Sequence, residues 1–222
     1  MFTTRFQAWV RRNAQRLAKL LAALPVTPNM VTVAGMAVTF GAAVLVGFGM
    51  LRWGALVLAF AGTFDILDGA LARATNRSYP YGAFLDSTTD RYSEGAVYVG
   101  IAAYFLWQKP DFPWSRWAIL ACVGALAGSF LVSYVRARAQ SLGYQCDIGF
   151  FARPERVVLT VVGLVIGDPT VLAVLVIALA VVTNLTVLQR INEVWRQARV
   201  ERRAAKAAAQ VPNSRGGERT AP

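Results

Sequence analysis

The chain contains no histidine and only two cysteines among 222 residues. The first absence removes histidine-based nucleophilic triads, HExxH zinc sites and imidazole general bases together. Cys122 lies in an apolar run and Cys146 in a loop, which offers neither metal-ligand spacing nor a disulfide framework. Acidic residues are scarce, 12 against 23 basic, so the formal net charge is +11. No polar stretch is long enough to build a soluble nucleic-acid-binding domain, so no nucleic-acid partner is expected despite that charge. The first 24 residues lack a compact apolar core followed by small residues, so no cleavable signal peptide is expected. There is no internal repeat.

What the chain has in quantity is apolar sequence: 56% hydrophobic residues and a mean hydropathy of +0.44, too apolar for an ordinary soluble domain. A basic, apolar chain belongs in a membrane whose cytoplasmic face carries anionic lipid. Residues 4–24 set Phe6, Val10, Ala14, Leu17, Leu20, Leu21 and Leu24 opposite Arg5, Arg11, Arg12, Arg16 and Lys19. This pattern predicts an amphipathic helix on the membrane surface, with a plain cationic pre-sequence as the alternative. Pro25 and Pro28 end it. Apolar stretches of spanning length follow at roughly 29–50, 54–75, 82–108, 115–140, 155–167 and 169–191. Six spans return both termini to one side. With the N-terminus inside, only Arg52, Lys109 and Arg116 of the 23 basic residues fall outside, as the positive-inside rule requires. The expected fold is therefore all-α: six transmembrane helices over 27–196, a juxtamembrane helix over 1–26, and a polar, disordered tail over 197–222.

Between Asp65 and Asp90 four aspartates interrupt this apolar sequence. A carboxylate inside a membrane helix is costly unless it is paired, hydrated or bound to a cation. At 100° per residue Asp65, Asp68, Gly69 and Ala72 share one stripe of a helix, and Gly82, Asp86, Asp90 and Ser93 share a stripe of the next. Small residues beside the acids let a backbone or a bulky ligand come close. Asp65 stands eight residues before Arg73 at the inner end, which places the acids roughly 12 Å deep in the inner leaflet. Ligands of oxygen alone suit Mg²⁺, with Mn²⁺ possible, far better than zinc. Two such ions would clamp a pyrophosphate during an in-line displacement. The alternative is four structural acids paired with Arg73, Arg77 and Arg91.

The run D65-x2-D68-G69-x2-A72-R73-x8-G82-x3-D86-x3-D90 resembles the complete signature of the CDP-alcohol phosphotransferase family. The resemblance implies an integral membrane enzyme that displaces CMP from a CDP-linked lipid with an acceptor hydroxyl. It implies metal ligation by Asp65, Asp68, Asp86 and Asp90, with Asp90 taking the proton from the attacking hydroxyl. It also implies CDP-lipid contacts from Asp65, Gly69, Ala72, Arg73, Ser78, Tyr79 and Gly82, and from the segment Asn29, Met30, Val31 and Thr32.

A second cluster concerns the acceptor. Arg136, Arg153 and Arg190 lie near predicted inner helix ends, where guanidinium forks could form a phosphate pocket beside the metal or merely set topology. The stretches S-Y-V-R-A-R-A-Q-S-L-G, F-F-A-R-P-E-R and V-L-Q-R-I-N-E-V-W, with D-S-T-T-D-R-Y-S-E-G-A-V-Y, are similar to the phosphatidylinositol-phosphate synthase branch of the family. That likeness implies inositol phosphate as acceptor, CDP-diacylglycerol as donor, Arg136, Arg153 and Arg190 on the acceptor phosphate, and a homodimer in the cell membrane with a cytoplasmic active site. Glycerol phosphate is the alternative acceptor. An ion-coupled transporter lined by intramembrane acids is the alternative class. The tryptophans Trp53, Trp107, Trp114 and Trp117 are expected at the outer interface.

Overall fold

The computed structural model describes residue 22 and residues 25–76, 79–146, 148–149 and 153–209, without the side chains of 207–209. The expected surface helix over 4–24 lies outside these residues apart from Ala22, as do Arg77, Ser78 and residues 210–222.

Among the described residues the structure is all-helical: α1 (Pro28–Gly47), α2 (Leu51–Ala74), α3 (Pro80–Trp107), α4 (Ser115–Ser141), α5 (Arg153–Ile166) and α6 (Pro169–Ala209). Four of them, α1, α2, α4 and α6, are long and apolar enough to cross a membrane. The chain is thus a membrane protein. Helix α3 has the length but carries Asp86, Asp90, Arg91 and Glu94, and α5 has only 14 residues, about 21 Å of rise.

Local chemistry sets the helix ends. The Thr27 side chain accepts from the Met30 N–H while Pro28 opens α1 with a φ already suited to a helix. Asp168 Oδ1 accepts from the Val171 N–H at 2.9 Å at the start of α6. The tight links after α1 and α5 turn on Gly49 (φ 83°) and Gly167 (φ 71°), a backbone region that side chains resist. Successive helices run in opposite directions: the start of α3 meets the start of α1, and the start of α2 meets the end of α1. One end of the bundle therefore collects the starts of α1, α3 and α5 and the ends of α2 and α4. The other collects exposed Trp53, Trp107, Trp114 and Trp117, as an interfacial aromatic belt does.

Helix α1 packs against α2 and α3, α4 against α3 and α6, and α5 against α2 and α6. The close approaches use small residues, as interfaces between membrane helices do. A Cβ on Gly54 would collide with Val46, one on Gly100 with the Ala43 backbone, and one on Gly128 with Thr183. Asn184 adds an interhelical hydrogen bond from Nδ2 to the Gly124 carbonyl at 3.1 Å.

The last helix departs from expectation. The tail expected from 197 is helical as far as Ala209. Its Ala, Arg, Lys and Glu residues have high helix propensity, and side-chain contacts support it. Gln197 exchanges hydrogen bonds with both backbone groups of Gln145, Tyr144 donates to Glu201 at 3.0 Å, and Arg199 stacks 4.1 Å over Trp195.

Candidate active site

Helices α2 and α3 present their aspartates toward one another near the basic end. Asp68 is buried, Asp86 and Asp90 are half-buried, and Asp65 is the most open. The acids lie within electrostatic reach of one another. The guanidinium of Arg153, on the first turn of α5, joins the two helices: its Nη1 stands 2.7 Å from Asp65 Oδ2 and 2.7 Å from Asp90 Oδ1. Arg91 approaches Asp90 at 3.5 Å. It is itself held by the Ser87 carbonyl at 2.7 Å and the Ser133 hydroxyl at 2.8 Å. Thr32 of α1 donates to Asp68 Oδ2 at 2.6 Å, which fixes one carboxylate from a third helix.

Among the described residues no three carboxylates stand at spacing for a shared ion, and the Arg153 guanidinium lies between Asp65 and Asp90. The position nevertheless suits a cation: one positive group already bridges carboxylates from two helices, and Asp86 lies within its electrostatic reach. The donors are anionic oxygens without histidine or thiolate, the set that hard divalent ions take. Asp65, Asp68, Asp86 and Asp90 would hold such an ion.

The structure brings several of the remaining expected residues to the same place. A Cβ on Gly82 would lie 3.5 Å from Asn29 Oδ1, so the start of α1 reaches the start of α3. The Arg73 guanidinium folds back over Gly69, 3.4 Å from where a Cβ would stand. Ala72 is half-buried on the same helix. Other residues point elsewhere. Met30 and Tyr79 are exposed, and Val31 is buried in a small apolar cluster with Ala70 and Leu71.

Of the three arginines assigned to the acceptor phosphate, only Arg153 is seen on the acids. Arg190 donates to the carbonyls of Ile148 at 2.8 Å and Val132 at 2.6 Å, and Arg136 lies exposed on α4. Glu94 of α3 also meets an arginine. It is Arg156, in a two-pronged pair at 2.6 and 3.0 Å. Spacing points to this pair only once the Arg153–Asp90 contact is known, since Glu94 follows Asp90 by four residues and Arg156 follows Arg153 by three.

Known proteins resemble this chain in sequence and in fold. The sequence model of the CDP-alcohol phosphatidyltransferase family matches residues 25–188. The phosphatidylinositol phosphate synthase of Mycobacterium tuberculosis is 36% identical over 186 residues, covering 81% of this chain and 84% of that protein. The archaetidylinositol phosphate synthase of Methanothermobacter thermautotrophicus is 36% identical over 195 residues, covering 86% and 93%. Solved structures of the M. tuberculosis enzyme superpose well. With CDP-DAG bound the TM-score is 0.77 at 34% identity, covering 83% of this chain and 94% of that one. In complex with manganese and citrate it is 0.76 at 35%, covering 82% and 88%.

Proposed function

The chain belongs to the CDP-alcohol phosphatidyltransferase family, and on that premise we propose that it transfers a phosphatidyl group from CDP-diacylglycerol to a hydroxyl of inositol phosphate, releasing CMP. The observation that carries this reading is the meeting of Asp65 and Asp90, from two helices, at the one guanidinium of Arg153. Such a cluster is expensive inside a membrane protein and marks a functional site, and in this family's reaction positive charge and phosphate are what it handles.

In the reaction, the acceptor oxygen bonds to the phosphorus that bears diacylglycerol, and the bond from that phosphorus to the bridging oxygen of CMP breaks. The hydroxyl proton passes to Asp90, which lies deeper than Asp86 on the same face of α3. Two bound Mg²⁺ or Mn²⁺ ions, held by Asp65, Asp68, Asp86 and Asp90, would neutralise the pyrophosphate and make the hydroxyl easier to deprotonate. Asn29 and Gly82, which nearly touch, close the nucleotide end, with Arg73 over Gly69 facing the phosphates. Thr32 holds Asp68 in place. Arg153 receives the acceptor phosphate, a bidentate partner that competes well with a carboxylate for a guanidinium. Arg136 and Arg190, at the same end of the bundle, complete that pocket.

Helices α3 and α5 cross the bilayer with the other four, giving six spans, with the acids and both termini on the cytoplasmic side. The concentration of basic residues at that end supports the orientation. The enzyme works as a homodimer, a reading that rests on family resemblance. The test is CMP release by the purified protein in detergent with CDP-diacylglycerol, divalent metal and each acceptor separately. Release with inositol phosphate is expected. Release with glycerol phosphate instead would reassign the acceptor, and no release with any acceptor would overturn the reading. Turnover without a membrane potential also separates the enzyme from an ion-coupled transporter.

A further inference from the structure

Helix α5 is the shortest in the bundle, and it carries the arginine that touches the acids. Its backbone packs on α2 and α6 rather than on α3. Where α2, α3 and α5 meet lies a cavity of about 40 Å³, walled by Asp65, Ser93, Glu94, Tyr98, Arg153 and Arg156 among others. That is room for a few water molecules and no more. Two arginines reach across it in parallel. On the side near the basic end, Arg153 meets Asp90. One helical turn deeper, Arg156 meets Glu94 through both Nε and Nη2, with the two side chains only 5% and 9% exposed. Asp90 and Glu94 are four apart on α3, Arg153 and Arg156 three apart on α5, and both helices start at the same end. The two contacts are therefore successive rungs joining one face of each helix.

The rungs differ in one respect. Arg153 faces the open acid cluster and has to exchange partners if it is to take a phosphate. Arg156 is enclosed, and Thr160 caps its carbonyl at 2.8 Å. A buried two-pronged ion pair contributes little net stability relative to apolar packing, but it fixes geometry, and losing one partner is costly. We propose that Glu94 and Arg156 are a positioning pair. They hold the first turn of α5 in register with α3, so that Arg153 stands where it meets the acceptor's phosphate. This rests on the reading of Arg153 given above. The pair touches neither substrate, and its effect falls on the acceptor and not on the CDP-lipid, which approaches from α1 and the start of α3.

The experiment is steady-state kinetics in detergent for Glu94→Gln and Arg156→Lys beside Arg153→Ala and the double variant Glu94→Gln/Arg153→Ala. Titrations of inositol phosphate and CDP-diacylglycerol are run separately, with Tm recorded for each protein. Glu94→Gln is expected to raise the acceptor KM about tenfold and leave the CDP-diacylglycerol KM within twofold. Arg156→Lys, which keeps the charge but not the fork, should raise it less. In the Arg153→Ala background Glu94→Gln should add nothing further to the acceptor KM. Equal rises in both KM values, or a fall in kcat tracking a lower Tm with the acceptor KM unmoved, would make the pair merely structural and overturn the proposal. Should Glu94→Gln not fold, Arg156→Lys decides by the same split. If Arg153→Ala raises the acceptor KM and neither pair variant does, the positioning role fails while the reading of Arg153 stands. If Arg153→Ala leaves that KM unchanged, the reading of Arg153 fails and takes the proposal with it.

Discussion

Toward the aromatic end, Ala42 and Val46 of α1, Ala55 and Leu58 of α2, Ile101 and Phe105 of α3, Ala118 and Cys122 of α4 and Leu172 and Val176 of α6 form one closed apolar cluster. Toward the basic end the buried apolar cluster shrinks to Val31, Ala70 and Leu71. The space between helices there is given to carboxylates, guanidinium groups and hydroxyls. The same six helices thus serve two purposes along their length. Where small residues let backbones meet, the helices pack closely. Where charges replace packing, polar side chains meet across the space between helices. Each half should accordingly fail in its own way: substitutions at the basic end should remove chemistry while sparing the fold, and substitutions at the aromatic end should do the reverse.

The largest effect is expected at Asp90. Asp90→Asn keeps the side chain's shape and removes its ability to take a proton. CMP release should fall by about 10²–10⁴, the range general-base catalysis commonly contributes. Binding of CDP-diacylglycerol and Tm should stay near the unsubstituted values. A variant that lost Tm in step with turnover would show that the acids also hold the bundle together and would erase the contrast between the halves. Normal turnover would remove Asp90 from its role.

The opposite half gives the next effect. At Gly100 a side chain would enter the backbone of Ala43, where α3 crosses α1. Backbone cannot yield as a flexible side chain does, so Gly100→Val should cost about 1–3 kcal/mol of stability, as overpacking does. This would be seen as a lower Tm in detergent. Turnover per folded molecule should remain within twofold. If instead Tm holds and the acceptor or lipid KM shifts, strain at the aromatic end reaches the acids and the division is weaker than the packing implies.

How far the sequence disclosed this arrangement also differs between the halves. Helices are legible because apolar length is a local property: all six expected stretches correspond to helices, four of them long and apolar enough to span a membrane. The acid stripes are legible because Asp65 and Asp68, and Asp86 and Asp90, repeat at helical spacing. The continuation of α6 to Ala209 was hidden. A polar helix has no apolar periodicity to announce it, and its support comes from Tyr144 and Gln145 in a distant loop. The partners of the arginines were equally hidden. That Arg153 would lie on Asp65 and Asp90 while Arg190 turned to the carbonyls of Val132 and Ile148 depends on where α5 and α6 pack. One-dimensional spacing carries no such information. Family resemblance supplied the roles; the fold supplied the neighbours.

The smallest effect tests the boundary between the halves. Thr32 is buried at the edge of the small apolar cluster, and its hydroxyl donates to Asp68 Oδ2 at 2.6 Å. Val matches Thr in shape, so Thr32→Val keeps the packing of α1 on α2 and removes only the donor. Groups that orient a metal-holding carboxylate typically change metal affinity or activity by about 10–100-fold when lost. Thr32 is one partner of one of four acids, so the low end of that range applies. The Mn²⁺ concentration giving half-maximal CMP release should rise about tenfold, with the rate at saturating Mn²⁺ close to that of the unsubstituted protein. A drop in the saturating rate with no change in the metal requirement would mean that Thr32 acts on the lipid substrate, the contact its place beside Asn29 also permits. A drop in Tm alone would mean that α1 is pinned through this bond and that Thr32 belongs with the packed half, which moves the dividing line one turn toward the basic end.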